Sequence, residues 1–374
     1  MNIRSVSLPD GRYFISYQFS GPNWAALSGD NPNPLHSPQI GDTGSELRWN
    51  PLLGEWVINA AHRQNRTFLP PPGSCPFCPG SGARRGDVPV ETYDLAVLEN
   101  RFPSLQPSPA KPFISGDPFF ETGPAQGVCE VVLYTPDHQT SLAQTSVEQI
   151  YKLVLVWTSR YHELCKLPFV KYVFIFENKG EAIGVTLHHP HGQIYAYSFR
   201  PPRIERELEQ CRIHHQETGS CLLCSVLRHE INDGRRLVTA NTSFTAIIPF
   251  YARWPYEVHL ISNRHMQSLD DFTPDEQRDL ASILKAVLVA YDRIFSLSFP
   301  YMMVIHQKPS DGEAYDFYHF HIEFYPPMRA ANRLKYLAGS ETGAGIFIND
   351  AQPEAKAAEL RSLVQPVVWR GGAA

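Results

Sequence analysis

The sequence has no run of about 18 apolar residues anywhere in its 374, which excludes a membrane-spanning helix of the usual length. Its first residues, MNIRSVSLPDGRYF, lack the apolar stretch of a secretory signal, so a cytoplasmic location and no membrane partner are expected. It has no block of lysine or arginine and its net charge is −5, which argues against a nucleic-acid partner held by bulk charge. Any anionic ligand has to be met by a few placed residues. Cysteine is scarce and odd in number, seven in all, which suits a disulfide framework poorly. Four of the seven form two Cys-x-x-Cys pairs, Cys75/Cys78 and Cys221/Cys224, and in a reducing compartment such pairs point to metal binding. What remains is ordinary: 43% hydrophobic residues, ample for burial, in a chain long enough for two or three domains or a duplicated unit.

The densest chemistry lies in His189-Pro190-His191-Gly192-Gln193. An imidazole is largely neutral near pH 7 and can attack phosphorus and later leave, which divides one difficult transfer into two easier ones. Pro190 fixes its own φ and biases His189 towards extended backbone, so the two rings take defined directions. Gly192 permits close backbone approach, and Gln193 offers a neutral amide to a phosphoryl oxygen. His191 is the candidate nucleophile.

The chain also repeats itself. Cys75-x-x-Cys78 is followed by an apolar strand (131–134), Pro136-Asp137-His138, a capping box Thr145-x-x-Glu148, a helical apolar pattern, a strand (172–176), a loop and His189-x-His191. Cys221-x-x-Cys224 is followed by a strand (257–261), Arg264-His265, a capping box Thr273-Pro274-Asp275-Glu276, a helix to about Phe295, a strand (301–305), a loop and His319-x-His321. This order predicts an α+β tandem duplication, with antiparallel strands and one helix covering each set. Residues 1–45 form an irregular arm, residues 46–200 the first repeat and residues 201–374 the second, ending in a short helix over 353–364.

Cys75, Cys78, His138 and His189 suit a tetrahedral zinc ion; four protein ligands would make it structural, anchoring His189 so that His191 is aimed and free. By the repeat, Cys221, Cys224, His265 and His319 make a second zinc site. A rival set, Glu207, His306, His319 and His321, would accept iron or zinc. Both sets claim His319. The cysteine set is favoured, because the thiol spacing otherwise has no evident reason. Cys129, Cys165 and Cys211 show no pattern and are expected to be buried.

These motifs, in this order, resemble the galactose-1-phosphate uridylyltransferase family of the histidine-triad superfamily. The resemblance spans roughly residues 46–345 and includes Arg48-Trp49-Asn50-Pro51, His62-Arg63-x-x-Arg66, Asn100-Arg101-Phe102-Pro103, Phe176-Glu177-Asn178-Lys179-Gly180 and His319-x-His321 before Tyr325-Pro326-Pro327. It implies two histidine-triad-like repeats forming a half-barrel of antiparallel strands with helices on one side, usually a homodimer. It implies ping-pong transfer of UMP from UDP-glucose to galactose-1-phosphate through a uridylyl-His191 intermediate, so the partners are a nucleotide sugar and a sugar-1-phosphate. Arg63, Arg66, Asn178, the Gly184–Thr186 loop and Gln193 would meet phosphoryl charge, Asn100 would lie near the uridine, and Lys335 and Glu341 would reach the hexose across the dimer interface. Gln193, standing where hydrolysing relatives carry a third histidine, leaves no general base to activate water.

The sequence departs from the family at the sugar end. Ser340 replaces a tyrosine, residues 342–347 are glycine-rich, Leu187 stands for an asparagine and His188 for a proline. Two other readings remain: an enzyme resembling ADP-glucose phosphorylase, using the same His191 with adenine and phosphate, and a nucleotide-binding module without catalysis.

Overall fold

The structure, a computed structural model, describes residues 2–19, 44–66, 69–70, 73–80, 86–114 and 117–369. In the first half the strands are β1 (Asn2–Ser7), β2 (Tyr13–Gln18), β3 (Glu46–Asn50), β4 (Glu55–Asn59), β5 (Leu95–Glu99), β6 (Thr122–Pro124) and β7 (Gly127–Leu133). Helix α1 (Val147–Cys165) leads to β8 (Tyr172–Lys179) and β9 (His191–Tyr197). The second half opens with α2 (Pro202–Thr218) and α3 (Leu222–Asp233), then β10 (Leu237–Ala240), β11 (Phe244–Ile247) and β12 (Val258–Ser262). Helix α4 (Pro274–Ile294), β13 (Tyr301–His306), β14 (His321–Tyr325), the hairpin β15 (Met328–Ala330) and β16 (Arg333–Leu334), α5 (Gly339–Ala344) and α6 (Pro353–Leu363) complete it.

Eleven strands join in one sheet, in the order β1-β2-β5-β7-β9-β8-β13-β14-β12-β11-β10, and every pairing is antiparallel. The two halves meet at β8 and β13, so the expected antiparallel sheets are continuous with each other. The sheet does not close into a barrel. A smaller sheet, β4-β3-β6, stands beside it.

Side-chain alternation decides what each face does. Ile194 and Ala196 of β9, and Ile322 and Phe324 of β14, point into the main core with α1 and α4. Helix α1 enters that core through Val147, Ile150, Leu153, Val154, Trp157, Tyr161 and Leu164, the spacing of one apolar stripe. Burying each large apolar side chain contributes roughly 1.5–3 kcal/mol. The intervening residues His191, Gln193, His321 and Glu323 are therefore left for the opposite face. On that face α2 buries Ile204, Leu208 and Cys211 against Tyr172 and Tyr318.

Several expectations need correcting. Residues 2–18 are a β-hairpin on the sheet edge rather than an irregular arm, while 20–43 lie outside the described residues. The first helix is capped by Ser146, which accepts from the Gln149 amide; the Thr145 hydroxyl instead donates to the Leu142 carbonyl and closes the preceding turn. The box at Thr273 and Glu276 is formed as expected, with Pro274 in the first turn. The segment around Asn178, expected as a loop, is strand as far as Lys179 because β8 pairs with β13 there. Helices α2 and α3 on the second face were not anticipated.

Candidate active site and metal centres

His191 opens β9 at the mouth of a cavity also lined by Arg63, Arg66, Asn100, Thr186 and Gln193. Its Nδ1–H donates to the His189 carbonyl at 2.7 Å. That bond fixes the tautomer and leaves the Nε2 lone pair free. Burial holds the ring's pKa below its ordinary value, which favours the neutral, nucleophilic form. Phe77 lies edge-on to the ring, with centroids 5.2 Å apart. Gln193 Oε1 accepts from Asn100 Nδ2 at 3.4 Å, which turns the glutamine amide and anchors it. Arg63 donates to the Phe102 carbonyl at 2.7 Å, and His62 Nε2 to the Pro103 carbonyl at 3.0 Å, so the Asn100–Pro103 segment and the arginine segment hold each other.

Other candidates lie further out. Asn178 is in β8, where continuing the Phe176–Gln193 register brings it level with His191, but it does not line the cavity. Gly184 ends a short turn with φ of +79°, a backbone conformation that favours glycine, and precedes the loop that carries Thr186 into the cavity. Lys335 and Glu341 are brought together, Nζ to Oε1 at 3.2 Å, but within the C-terminal segment and away from this chain's own cavity.

Three clusters gather groups able to bind metal. In the first, Cys75, Cys78, His138 and His189 converge, with Cys78 Sγ 3.4 Å from His138 Nδ1 and 3.7 Å from His189 Nδ1. In the second, Cys221, Cys224, His265 and His319 converge, with sulfur–nitrogen distances of 3.4, 3.5 and 3.7 Å. A tetrahedron with Zn–S of about 2.3 Å and Zn–N of about 2.0 Å has S···N edges of about 3.5 Å, so both donor sets fit zinc. The far nitrogens are also committed: His189 Nε2–H donates to the Thr135 carbonyl and His319 Nε2–H to the Ser262 carbonyl, presenting each Nδ1 to the centre.

The third cluster is Glu207, His306, His321 and Glu323. Here the structure corrects the rival set: His319 belongs with the cysteines, and Glu323 takes the fourth place. The competition for His319 disappears, and both clusters are complete. Strand alternation carried the missed signal, since Glu323 is two residues beyond His321 on the same face, as Gln193 is beyond His191. His306 Nδ1 lies 2.7 Å from Glu207 Oε2 and His321 Nε2 3.5 Å from Glu323 Oε1. Burial opposes charge on Glu323, but His259, His306 and Arg203 outweigh it and hold its carboxyl well below the usual range. Carboxylates and imidazoles together suit iron or zinc.

Fold and site together define a protein built from two copies of one antiparallel α+β unit, with a histidine of the first lining the cavity and its Nδ1 held by a backbone carbonyl. The chain belongs to the galactose-1-phosphate uridylyltransferase family: the model of its N-terminal domain matches residues 37–201 and that of its C-terminal domain residues 207–367. The galactose-1-phosphate uridylyltransferase of Thermotoga maritima is 44% identical over 84% of this chain and 98% of its own length. That of Streptomyces lividans is 35% identical over 97% of this chain and 98% of its own. A solved uridylyltransferase superposes with a TM-score of 0.77 at 36% identity, covering 85% of this chain and 98% of that one. No helix among the described residues is long and apolar enough to cross a membrane.

Proposed function

We propose that this chain moves a uridylyl group from UDP-glucose to galactose-1-phosphate in two half-reactions at His191. In the first, His191 Nε2 attacks the α-phosphorus. The N–P bond forms, the P–O bond to glucose-1-phosphate breaks, and the sugar phosphate leaves with the electron pair. In the second, a phosphate oxygen of galactose-1-phosphate attacks the same phosphorus and the N–P bond breaks, returning the neutral ring. The leaving group is already a phosphate anion, so no strong acid is needed and the Gln193 amide suffices. Arg63 and Arg66 would meet the charge that develops on phosphorus; one preorganised donor of this kind contributes about 3 kcal/mol in well-studied enzymes. The observation that carries the reading is the Nδ1–H bond from His191 to the His189 carbonyl, which leaves Nε2 free at a cavity holding both arginines.

In this reading Cys75, Cys78, His138 and His189 would hold zinc, and His189 so fixed would set, through its carbonyl, the aim of His191. The second cluster would hold zinc and the third iron or zinc, both apart from the reacting atoms. Lys335 and Glu341 would serve the cavity of a partner subunit in a homodimer, and a cytoplasmic site suits seven cysteines of which none forms a disulfide. A single-turnover incubation followed by intact mass tests the chemistry. A uridylyl adduct from UDP-glucose, discharged by galactose-1-phosphate as UDP-galactose, is the expected result. An adenylyl adduct from ADP-glucose, discharged by inorganic phosphate, would replace this reading with a phosphorylase, and no adduct from either would leave a binding module.

A further inference from the structure

Among the residues lining the His191 cavity that no motif singled out are Arg12, from the N-terminal hairpin, and Asp87, whose side chains pair with each other. The hairpin lies before residue 37, where the match to the family model begins. Arg12 is buried and its donors are committed within the protein. Nε donates to Asp10 Oδ2 at 2.8 Å, Nη1 to Asp87 Oδ2 at 3.3 Å and the Glu99 carbonyl at 3.2 Å, and Nη2 to Asp87 Oδ1 at 2.8 Å. It also pairs with Asp10 through Nη2. Arg12 therefore has nothing left to offer a ligand. Asp87 has: each carboxylate oxygen keeps a lone pair beyond the one taken by Arg12.

Asp87 is held from its other side as well. Its amide donates to the Pro76 carbonyl at 2.9 Å, inside the Cys75–Cys78 turn, and a Cβ at Gly86 would come within 2.8 Å of that same carbonyl. Beside it in the cavity are Phe77, Leu98 and Val131, an apolar slot suited to a flat base. Arg101, at 3.8 Å, is a second, exposed cation near the carboxylate. A carboxylate fixed by a bidentate arginine and a backbone anchor is a preorganised acceptor.

Resting on the proposed transfer, we infer that Asp87 accepts a hydrogen bond from the nucleoside of the nucleotide sugar, and that Arg12 is the positioning residue that aims it. The donor is either the ribose 2′-hydroxyl or the ring N–H of the base. Through Arg12 the hairpin thus orients a nucleoside-reading carboxylate that it does not itself carry.

The test measures both half-reactions in wild type, Asp87→Asn and Arg12→Ala, the first by adduct formation against UDP-glucose concentration and the second by discharge of the adduct with galactose-1-phosphate. A carboxylate hydrogen bond removed at this end should raise the half-saturating UDP-glucose concentration about tenfold or more. The maximal rate and the dependence on galactose-1-phosphate should be unchanged. In wild type, 2′-deoxy-UDP-glucose and the N3-methyl-uracil analogue should separate the donors, because only the analogue lacking the donor bonded to Asp87 becomes insensitive to Asp87→Asn. Unchanged UDP-glucose dependence in Asp87→Asn overturns the inference. So does a parallel loss in both half-reactions with a lowered Tm, which marks an ion pair that only fastens the hairpin. Equal use of UDP-glucose and both analogues by wild type also overturns it, without any variant having to fold. Failure of the transfer itself would be seen separately, as absence of any adduct in wild type.

Discussion

The two halves use one backbone device for two ends. In the first, His191 Nδ1–H donates to the His189 carbonyl at 2.7 Å; in the second, His321 Nδ1–H donates to the His319 carbonyl at 3.0 Å. Each pair starts from a histidine in a Cys2His2 cluster, and in each the second ring projects Nε2 from the same face of the sheet. The difference lies one strand step on. Gln193 is a neutral amide beside an open cavity, whereas Glu323 is a carboxylate beneath Glu207, His306 and Arg203. Burial disfavours the charged form of both rings, but around His321 the carboxylates of Glu323 and Glu207 outweigh it and raise the pKa, while His191 stays lowered. A histidine aimed by its neighbour's carbonyl thus faces an open cavity or sits in a cluster of carboxylates and imidazoles, in step with the residue two places later.

The sharpest way to break the comparison is to remove each ring in turn. His191→Ala should lower adduct formation by on the order of 10⁴-fold or more, as nucleophile deletions do. His321→Ala should leave adduct formation within about tenfold and show its effect in metal content and Tm instead. Equal losses in the two variants, read by intact mass at matched Tm, would end the assignment of separate roles.

Exchanging the deciding residue is the next largest effect. Gln193→Glu would place a carboxylate beside the phosphoryl group and favour a charged ring, and should slow adduct formation by about 10²-fold. Glu323→Gln, measured in the same assay, should change the rate little. Metal removal sharpens the contrast further. Cys75→Ser/Cys78→Ser and Cys221→Ser/Cys224→Ser should each lose zinc by elemental analysis. Only the first pair should lose adduct formation out of proportion to stability, by about 10- to 100-fold, because only that cluster holds the carbonyl that aims His191.

Smaller effects follow from packing. A Cβ at Gly192 would lie 2.0 Å from the Tyr134 hydroxyl, whereas the matching position in the second half is Ile322, buried without conflict. Gly192→Ala should cost about 1–3 kcal/mol in denaturant unfolding, and Tyr134→Phe in the same chain should recover part of it. The two helix caps differ less. Thr273→Ala breaks a reciprocal box and Ser146→Ala a single bond, so the first should cost more, each on the order of 1 kcal/mol.

Much of the arrangement was legible because chemistry-bearing residues recur at short, fixed intervals. Cys-x-x-Cys and His-x-His place ligands through local geometry alone, and the order of motifs exposed the duplication. The third cluster was seen only in part, since Glu207 comes from a helix 99 positions before its partner His306 in the chain. Its fourth member was hidden by counting His319 twice, although strand alternation already put Glu323 on the correct face. Ser146 displaced Thr145 as a cap because adjacent hydroxyls compete, and the winner depends on which one the preceding turn consumes. The hairpin of residues 2–18 was invisible for another reason: Arg12 and Asp87 form no motif, and only the sheet brings them together.

The seam between β8 and β13 has a consequence of its own. These strands occupy equivalent places in their halves and pair antiparallel, which is the contact made by a twofold axis when two identical units meet edge to edge. The chain is in this sense a dimer captured by a covalent link, with its partner supplied at fixed stoichiometry and never lost to dilution. A symmetric pair must keep every substitution in both copies. Once the copies are joined, one can hold its histidine at an open cavity while the other buries its own beside a carboxylate.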